Sequence, residues 1–554
     1  GRIYVMGGLS GGVATSAVNS YDPATNSWRA ETSLPAAVSS ASAVSDAAGN
    51  DNGTTASSNN YSIDSDVTST WVNFLAGNVS IDGGAGINKM TITGVPDGAN
   101  LRDNNTAFLH ITGVENAEYQ VDAGASVTLT FSENSENSGF RNISITGNYA
   151  SSTDSLQGYS TGVNLTTANG DDVIYGSDSG DTITTNGGND SIDAGGGNGA
   201  DLINAGEGNN TVLANDGNDT VTTGSGNDLI NGGAGNDLIT AGAGTDTIDA
   251  GLGNDTIVGA DNSDNIQGNE GTDTLQISGN YTPYDDDNAL EGVEIVTVTG
   301  NAGAVTVNLS NQIGEAFTVN LSNSGDTAIL ADGADTILGG SGADSIFSGN
   351  GNDSVSSDGG NDTIVTGEGN DAVNAGDGND SVDAGNGDDT VLAGNGNDFI
   401  DAGAGVDSVD GGEGNDTVMA GQGDALMAGG NGSDTLRFTV NFDDSTDAQI
   451  TGFENLVIDN AGLSISLDSQ SESMNLTANG ATTITTGSGN THITSNTGVT
   501  AINAEAMRDA NNGIIPTTTS LLTTEAVRAL LGIDAETVWS RVDNGELRWV
   551  WRSE

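Results

Sequence analysis

One spacing governs this chain: aspartate returns every nine residues, and a branched aliphatic stands two residues after it. The first series runs Asp172, Asp181, Asp190, then after a two-residue insertion Asp201, Asp219, Asp228, Asp237, Asp246, Asp255, Asp264 and Asp273, with Asn210 filling the missing place. The second runs Asp326, Asp335, Asp344, Asp353, Asp362, Asp371, Asp380, Asp389, Asp398, Asp407, Asp416 and Asp434; only Ala425 breaks it, beside a displaced Asp424. A nine-residue unit with one obligatory apolar position is too short for a helical repeat. It suits a Gly-rich turn joined to a very short strand whose single Ile or Val points inward. Glycine ahead of the aspartate permits positive φ and close stacking of turns. Two units make one coil, so units n and n+2 stack at strand spacing, about 4.8 Å. The fold class expected is all-β: stacked coils of short strands alternating with other β segments.

Composition becomes informative against that register. Of 554 residues, 77 are acidic and 11 basic, giving a net charge of −66, and 84 are glycine. Scattered, such charge would read as disorder; in register, it reads as a ladder of carboxylates with turn carbonyls between them. Hard oxygen ligands in such an array suit Ca²⁺, which takes about six to eight of them at about 2.3–2.6 Å. Without counter-ions, stacked aspartates would repel one another strongly. Roughly twenty Ca²⁺ sites fit two blocks of about twelve units, and twenty such ions would bring the net charge to about −26. The blocks are therefore expected to fold on binding the metal. One lysine, Lys89, and ten arginines cannot neutralise a phosphate backbone, so no nucleic-acid partner is expected. No run of about 18 apolar residues exists, so the chain is not expected to span a membrane. The absence of cysteine excludes disulfides and thiolate metal sites.

The unit Gly-Gly-x-Gly-x-Asp-x-(Ile/Leu/Val)-x resembles the RTX, or hemolysin-type, calcium-binding repeat. Gly232-Gly233-Ala234-Gly235-Asn236-Asp237-Leu238-Ile239 and Gly411-Gly412-Glu413-Gly414-Asn415-Asp416-Thr417-Val418 meet it at every defined position. The resemblance implies a parallel β-roll whose sixth-position aspartates and Gly-turn carbonyls hold Ca²⁺, and export by a bacterial type I secretion system. Asn210 and Ala425 depart from the pattern, which puts the sites they line in doubt.

Around the rolls (165–277 and 324–438) the organisation reads as follows. Residues 1–36, with Tyr21 and Trp28 seven apart after a double glycine, resemble one kelch repeat; a propeller needs about four to eight such blades, so further blades upstream or a contact with another molecule is expected. The Gly1 start favours processing or truncation. Residues 37–70, rich in Ser, Ala, Asn and Thr, read as a linker, and 71–164 as a β segment with a degenerate turn. A hexapeptide recurs: Ile111-Thr112-Gly113-Val114-Glu115-Asn116, Leu290-Glu291-Gly292-Val293-Glu294-Ile295 and Ile450-Thr451-Gly452-Phe453-Glu454-Asn455. Alternating strands follow it at 127–131, 305–309 and 463–467. Residues 278–323 form a β connector. In 439–512 the aliphatic rhythm at Ile484, Ile493 and Ile502 outlasts the aspartates, predicting metal-free coils with Asn490 in a ladder. In 513–554, caps at Thr523 or Thr524 and at Asp534 predict two helices, 525–531 and 535–542. The segment is similar to excisionase-type helix-turn-helix proteins, but its acids argue against DNA binding and for a helical cap.

The catalytic inventory is thin. His110 and His492 are the two histidines, neither in a zinc motif, and no nucleophile elbow or phosphate-binding loop occurs. No enzyme activity, catalytic residue or organic cofactor is expected. The function expected is that of a secreted, extracellular calcium-binding structural protein at the bacterial cell surface, self-associating into a surface layer or filament. The alternatives are an adhesin with a glycan or cell-surface ligand, and the RTX portion of a secreted enzyme.

Overall fold

The computed structural model describes residues 141–486 almost continuously, apart from 148, 158, 285–288, 301–302, 422, 444–448, 468–473 and 479–482; elsewhere it describes strand segments alone. The chain divides into two units, Gly1–Leu275 with Asn288–Val293, and Gln276–Asp287 with Glu294–Glu554.

In the first unit each 18-residue coil contributes two short strands, one to each of two parallel sheets. Thr182–Thr184, Leu202–Gly206, Thr220–Thr223, Leu238–Thr240 and Thr256–Val258 stack on one side. Ser191–Asp193, Thr211–Leu213, Leu229–Ala234, Thr247–Leu252 and Asn265–Glu270 stack on the other. The register pairs like with like: Ile230 lies opposite Ile248, and Ile248 opposite Ile266. Between the sheets, Ile183, Ile203, Val221, Ile239 and Ile257 meet Ile192, Val212, Ile230, Ile248 and Ile266, all fully buried. The second unit repeats this with Val355, Val373, Val391 and Val409 against Ile346, Ile364, Val382, Ile400 and Val418. This is the parallel β-roll that the resemblance implies, built from the stacked nine-residue units that the spacing predicts.

The core is thin. Beside its branched aliphatic each unit buries little more than an alanine or a hydroxyl residue, such as Ala375, Ala384 and Ala393, or Ser357 and Thr366. Ordering nine residues costs several times what burying one aliphatic returns. Something besides apolar burial must hold the coils.

Outside the rolls the strands expected at 127–131, 305–309 and 463–467 are present as Ser126–Thr130, Thr306–Asn308 and Ser464–Leu467. The coils expected after residue 480 are there too: Ile465, Ile484 and Ile502 stand in one parallel column, and Leu476 pairs with Ile493. Asn490 and His110 lie outside the described residues, and His492 opens the strand His492–Ser495. At the N-terminus, Ile3–Met6, Val18–Asp22 and Ser27–Glu31 form an antiparallel three-stranded sheet in which Tyr21 lies opposite Trp28.

Two expectations are corrected. Residues 37–70 contain strands: Val44–Asp46 pairs antiparallel with Asn60–Asp64, which runs parallel to Lys89–Val95. The alternation of Tyr61 and Ile63 with polar neighbours outweighs the linker-like composition. Where a helix is expected at 535–542, the described part from 538 on is a strand: Val538–Asp543 pairs antiparallel with Glu546–Trp551. Val538, Trp539, Val542, Trp549, Val550 and Trp551 are strand formers, and Asn544-Gly545 between the strands is the dipeptide most favoured for a two-residue hairpin connection. The helix expected at 525–531 lies outside the described residues. Among the described residues no helix occurs, and so none long and apolar enough to cross a membrane.

Candidate metal centre

The repeated turn fixes where each aspartate goes. In the unit 411–418, Gly412 and Gly414 sit at φ 95° and 137°, a region side chains rarely adopt. A Cβ on Gly414 would strike the carbonyl of Gly396, one coil away. The turn therefore folds tightly over its neighbour and turns the following aspartate inward.

All twenty-three aspartates of the two series are buried, none more than 6% exposed. One carboxylate oxygen of each links the coils. The backbone N–H of Asp398 donates to Oδ1 of Asp416 at 2.9 Å, and that of Asp416 to Oδ1 of Asp434 at 2.8 Å. The first unit repeats this from Asp219 to Asp237 and from Asp237 to Asp255, both at 2.8 Å. The backbone carbonyl serves the ladder as well: Thr417 N–H donates to Asp398 O, and Thr435 N–H to Asp416 O.

The other oxygen is left over. Oδ2 of Asp237, Asp246, Asp344, Asp371, Asp380, Asp389 and Asp416, among others, is buried with no hydrogen-bond partner. Such an atom is costly unless something satisfies it. The space beside it is walled with oxygen. A Cβ on Gly411 would stand 2.5 Å from Gly429 O and 2.8 Å from Asp416 Oδ2. A row of buried, unpartnered carboxylate oxygens next to turn carbonyls is the donor set a hard divalent cation requires. Among the described residues no three acidic or imidazole side chains converge on one point. Each cation would thus be held by one or two aspartates with backbone carbonyls.

Exceptions to the pattern are explained by their neighbours. Asn210 keeps the ladder, accepting from Asp190 N–H at 2.9 Å and donating its own N–H to Asp228 Oδ1. Its amide nitrogen reaches the carbonyls of Gly206 and Gly208, taking the place a cation would have. The second oxygens of Asp181 and Asp326 accept from the backbone N–H and hydroxyl of Ser177 and Ser322. Tyr149 serves Asp172 and the Asp261 N–H serves Asp264 in the same way. At the Ala425 break the displaced Asp424 folds back, accepting from Gly421 N–H with one oxygen and leaving Oδ1 buried without a partner.

Burial pushes these carboxyls up against the pull of their N–H donors, and neighbouring aspartates of the ladder add to it. Asp237, Asp344 and Asp380 reach about 7, and Asp416 about 6. An unfolded aspartate titrates near 3.9. The metal-free fold is accordingly favoured below about pH 4 and loses that contribution as pH rises through 6–7. With Ca²⁺ removed on a chelating resin and no soluble chelator present, lowering the pH from 7.5 to 5 is expected to raise the far-ultraviolet β signal reversibly. A flat signal over that range would contradict the reading.

One device escapes the aspartate spacing. The residue before the aspartate is asparagine in about half of the units, and its Oδ1 accepts the backbone N–H one coil on: Asn397 N–H to Asn379, and Asn415 N–H to Asn397, at 2.8 and 2.9 Å. Its own nine-residue recurrence was the available signal.

Comparison with known proteins agrees with this geometry. The family described as RTX calcium-binding nonapeptide repeat (4 copies) matches residues 166–199, 196–230, 222–257, 329–364, 356–391, 365–400, 392–427 and 401–436. The Kelch motif matches residues 1–35. No curated protein matches the chain. The two aspartate ladders are therefore arrays of RTX calcium-binding nonapeptide repeats, carried on a parallel β-solenoid.

Proposed function

We propose that this protein is a secreted calcium-binding structural component of a bacterial cell surface, a surface-layer or filament subunit that folds and assembles on extracellular Ca²⁺. RTX repeats are typical of proteins exported by type I secretion, and the two arrays fit that route. Low calcium inside a cell leaves the aspartates ionised and uncompensated, so the chain stays unfolded for export. Millimolar calcium outside supplies the missing ligand, in the range to which extracellular calcium modules are tuned. The observation that carries the reading is the row of buried, unpartnered aspartate oxygens at 18-residue intervals. The aspartates whose second oxygen is unpartnered are the ligands; Asp172, Asp181, Asp264 and Asp326 extend the ladder without a cation of their own. The ion count then falls below the roughly twenty that spacing alone allows. Stacked like units give a repetitive surface suited to repetitive association.

Electron microscopy of the purified chain is expected to show ordered layers or filaments with millimolar Ca²⁺ and none with EGTA. Monodisperse particles in both would overturn the structural-subunit reading. A second reading, an adhesin that captures a glycan or cell-surface ligand through residues 1–35, draws support from the Kelch match. Glycan binding by a non-assembling protein would favour it.

A further inference from the structure

The hexapeptide that frames the arrays carries glutamate at its fifth position, and in its last copy the structure puts that glutamate in the ladder. In the second unit the column of N–H to carboxylate bonds does not stop at Asp434: the Asp434 N–H donates to Glu454 Oε2 at 2.8 Å. This is the same bond that Asp416 makes to Asp434. The longer side chain spans what two extra residues of backbone would otherwise misplace, because Glu454 follows Asp434 by twenty residues instead of eighteen. The backbone imitates the ladder as well. Asn455 N–H donates to Asp434 O, and Asn475 N–H donates to Glu454 O at 2.7 Å, as Thr435 N–H does to Asp416 O. The earlier copy of the hexapeptide repeats this part, with Thr318 N–H donating to Glu294 O at 2.7 Å.

Asp434 itself is completely buried, and its Oδ2 has no partner. The space that oxygen faces resembles the space inside the array. A Cβ on Gly429 would stand 2.6 Å from Gly452 O and 3.0 Å from Asp434 Oδ2, as one on Gly411 would meet Gly429 O and Asp416 Oδ2. Gly452 belongs to the hexapeptide, so the hexapeptide supplies both a turn carbonyl and a carboxylate. Phe453, buried beside them, anchors the segment. We propose that Glu454 is a metal ligand: with Asp434 and the Gly452 carbonyl it holds a terminal divalent cation of the calcium class and closes the second array. Glu454 is exposed where the array aspartates are buried, so this last site opens to solvent and exchanges first.

The inference rests on the calcium reading of the arrays, and the experiment separates the two. Hydrogen exchange of the full chain is followed by mass spectrometry while Ca²⁺ is titrated, comparing a peptide spanning 434–458 with one spanning 229–252. Glu454→Gln keeps an oxygen for the Asp434 N–H and removes the charge. It is expected to raise the calcium midpoint of 434–458 by about tenfold, since ligand charge sets affinity in such sites, while 229–252 keeps its midpoint and both peptides reach full protection at saturating Ca²⁺. An unchanged midpoint for 434–458 overturns the proposal alone. Protection of 434–458 lost at every Ca²⁺ concentration would mark a purely structural glutamate and overturn it as well. If 229–252 of the unsubstituted chain ignores Ca²⁺, the array reading falls and this proposal with it.

Discussion

In excess EGTA at pH 7.5, both aspartate arrays are expected to lose their β signal, and millimolar Ca²⁺ is expected to restore it cooperatively. The size of the effect follows from what the coils bury. Each contributes one branched aliphatic per sheet, such as Ile364 or Val382, against carboxylates that burial has raised to about 6–7 in several cases. At neutral pH the metal-free fold must therefore keep buried carboxyls either protonated at a cost or ionised without a counter-charge. A cation beside each unpartnered Oδ2 removes both penalties, and because a site needs two coils, binding and stacking proceed together. Circular dichroism at fixed pH measures the outcome. A full β signal in EGTA would mean that packing and hydrogen bonds alone hold the rolls.

Replacing Asp353, Asp371 and Asp389 together with alanine is expected to leave the second array unfolded at calcium concentrations that fold the first. These three stand in one column, accepting the N–H groups of Asp335, Asp353 and Asp371. Their loss strands three buried N–H groups, at about 1–3 kcal/mol each, and deletes the ligands. The same positions changed to asparagine should behave differently. Asn210 shows how: its oxygen keeps the ladder and its amide nitrogen satisfies the turn carbonyls of Gly206 and Gly208. The triple asparagine chain is therefore expected to fold the second array with less calcium than the native chain needs. Limited proteolysis across a calcium titration reads both. An alanine chain that folds at the native midpoint would contradict the ladder's role.

The sequence pattern made the rolls legible because a strict period leaves few ways to fold. Nine residues with one fixed aliphatic and one fixed acid define the coil, the inward face and the column of ligands at once. Where the period loosens, a residue's local neighbours no longer fix its place in the coil. Asp424 stands one residue off its place, and only the backbone path shows it turning inward beside the gap at Ala425. Glu454 is two residues late and a methylene longer, so spacing alone does not reveal that it continues the column. Over 535–542, the cap at Asp534 predicts a helix, whereas the tryptophans, valines and the Asn-Gly pair favour a hairpin. That choice rests on pairing between segments, which a local reading of helix caps does not weigh.

Long-wavelength anomalous diffraction from crystals grown with Ca²⁺ tests the central claim most directly. Peaks should lie beside Oδ2 of Asp237, Asp371, Asp380 and Asp416, recurring coil by coil, with none where the Asn210 amide reaches the turn carbonyls. Well-ordered strands at those positions without such peaks would contradict the account.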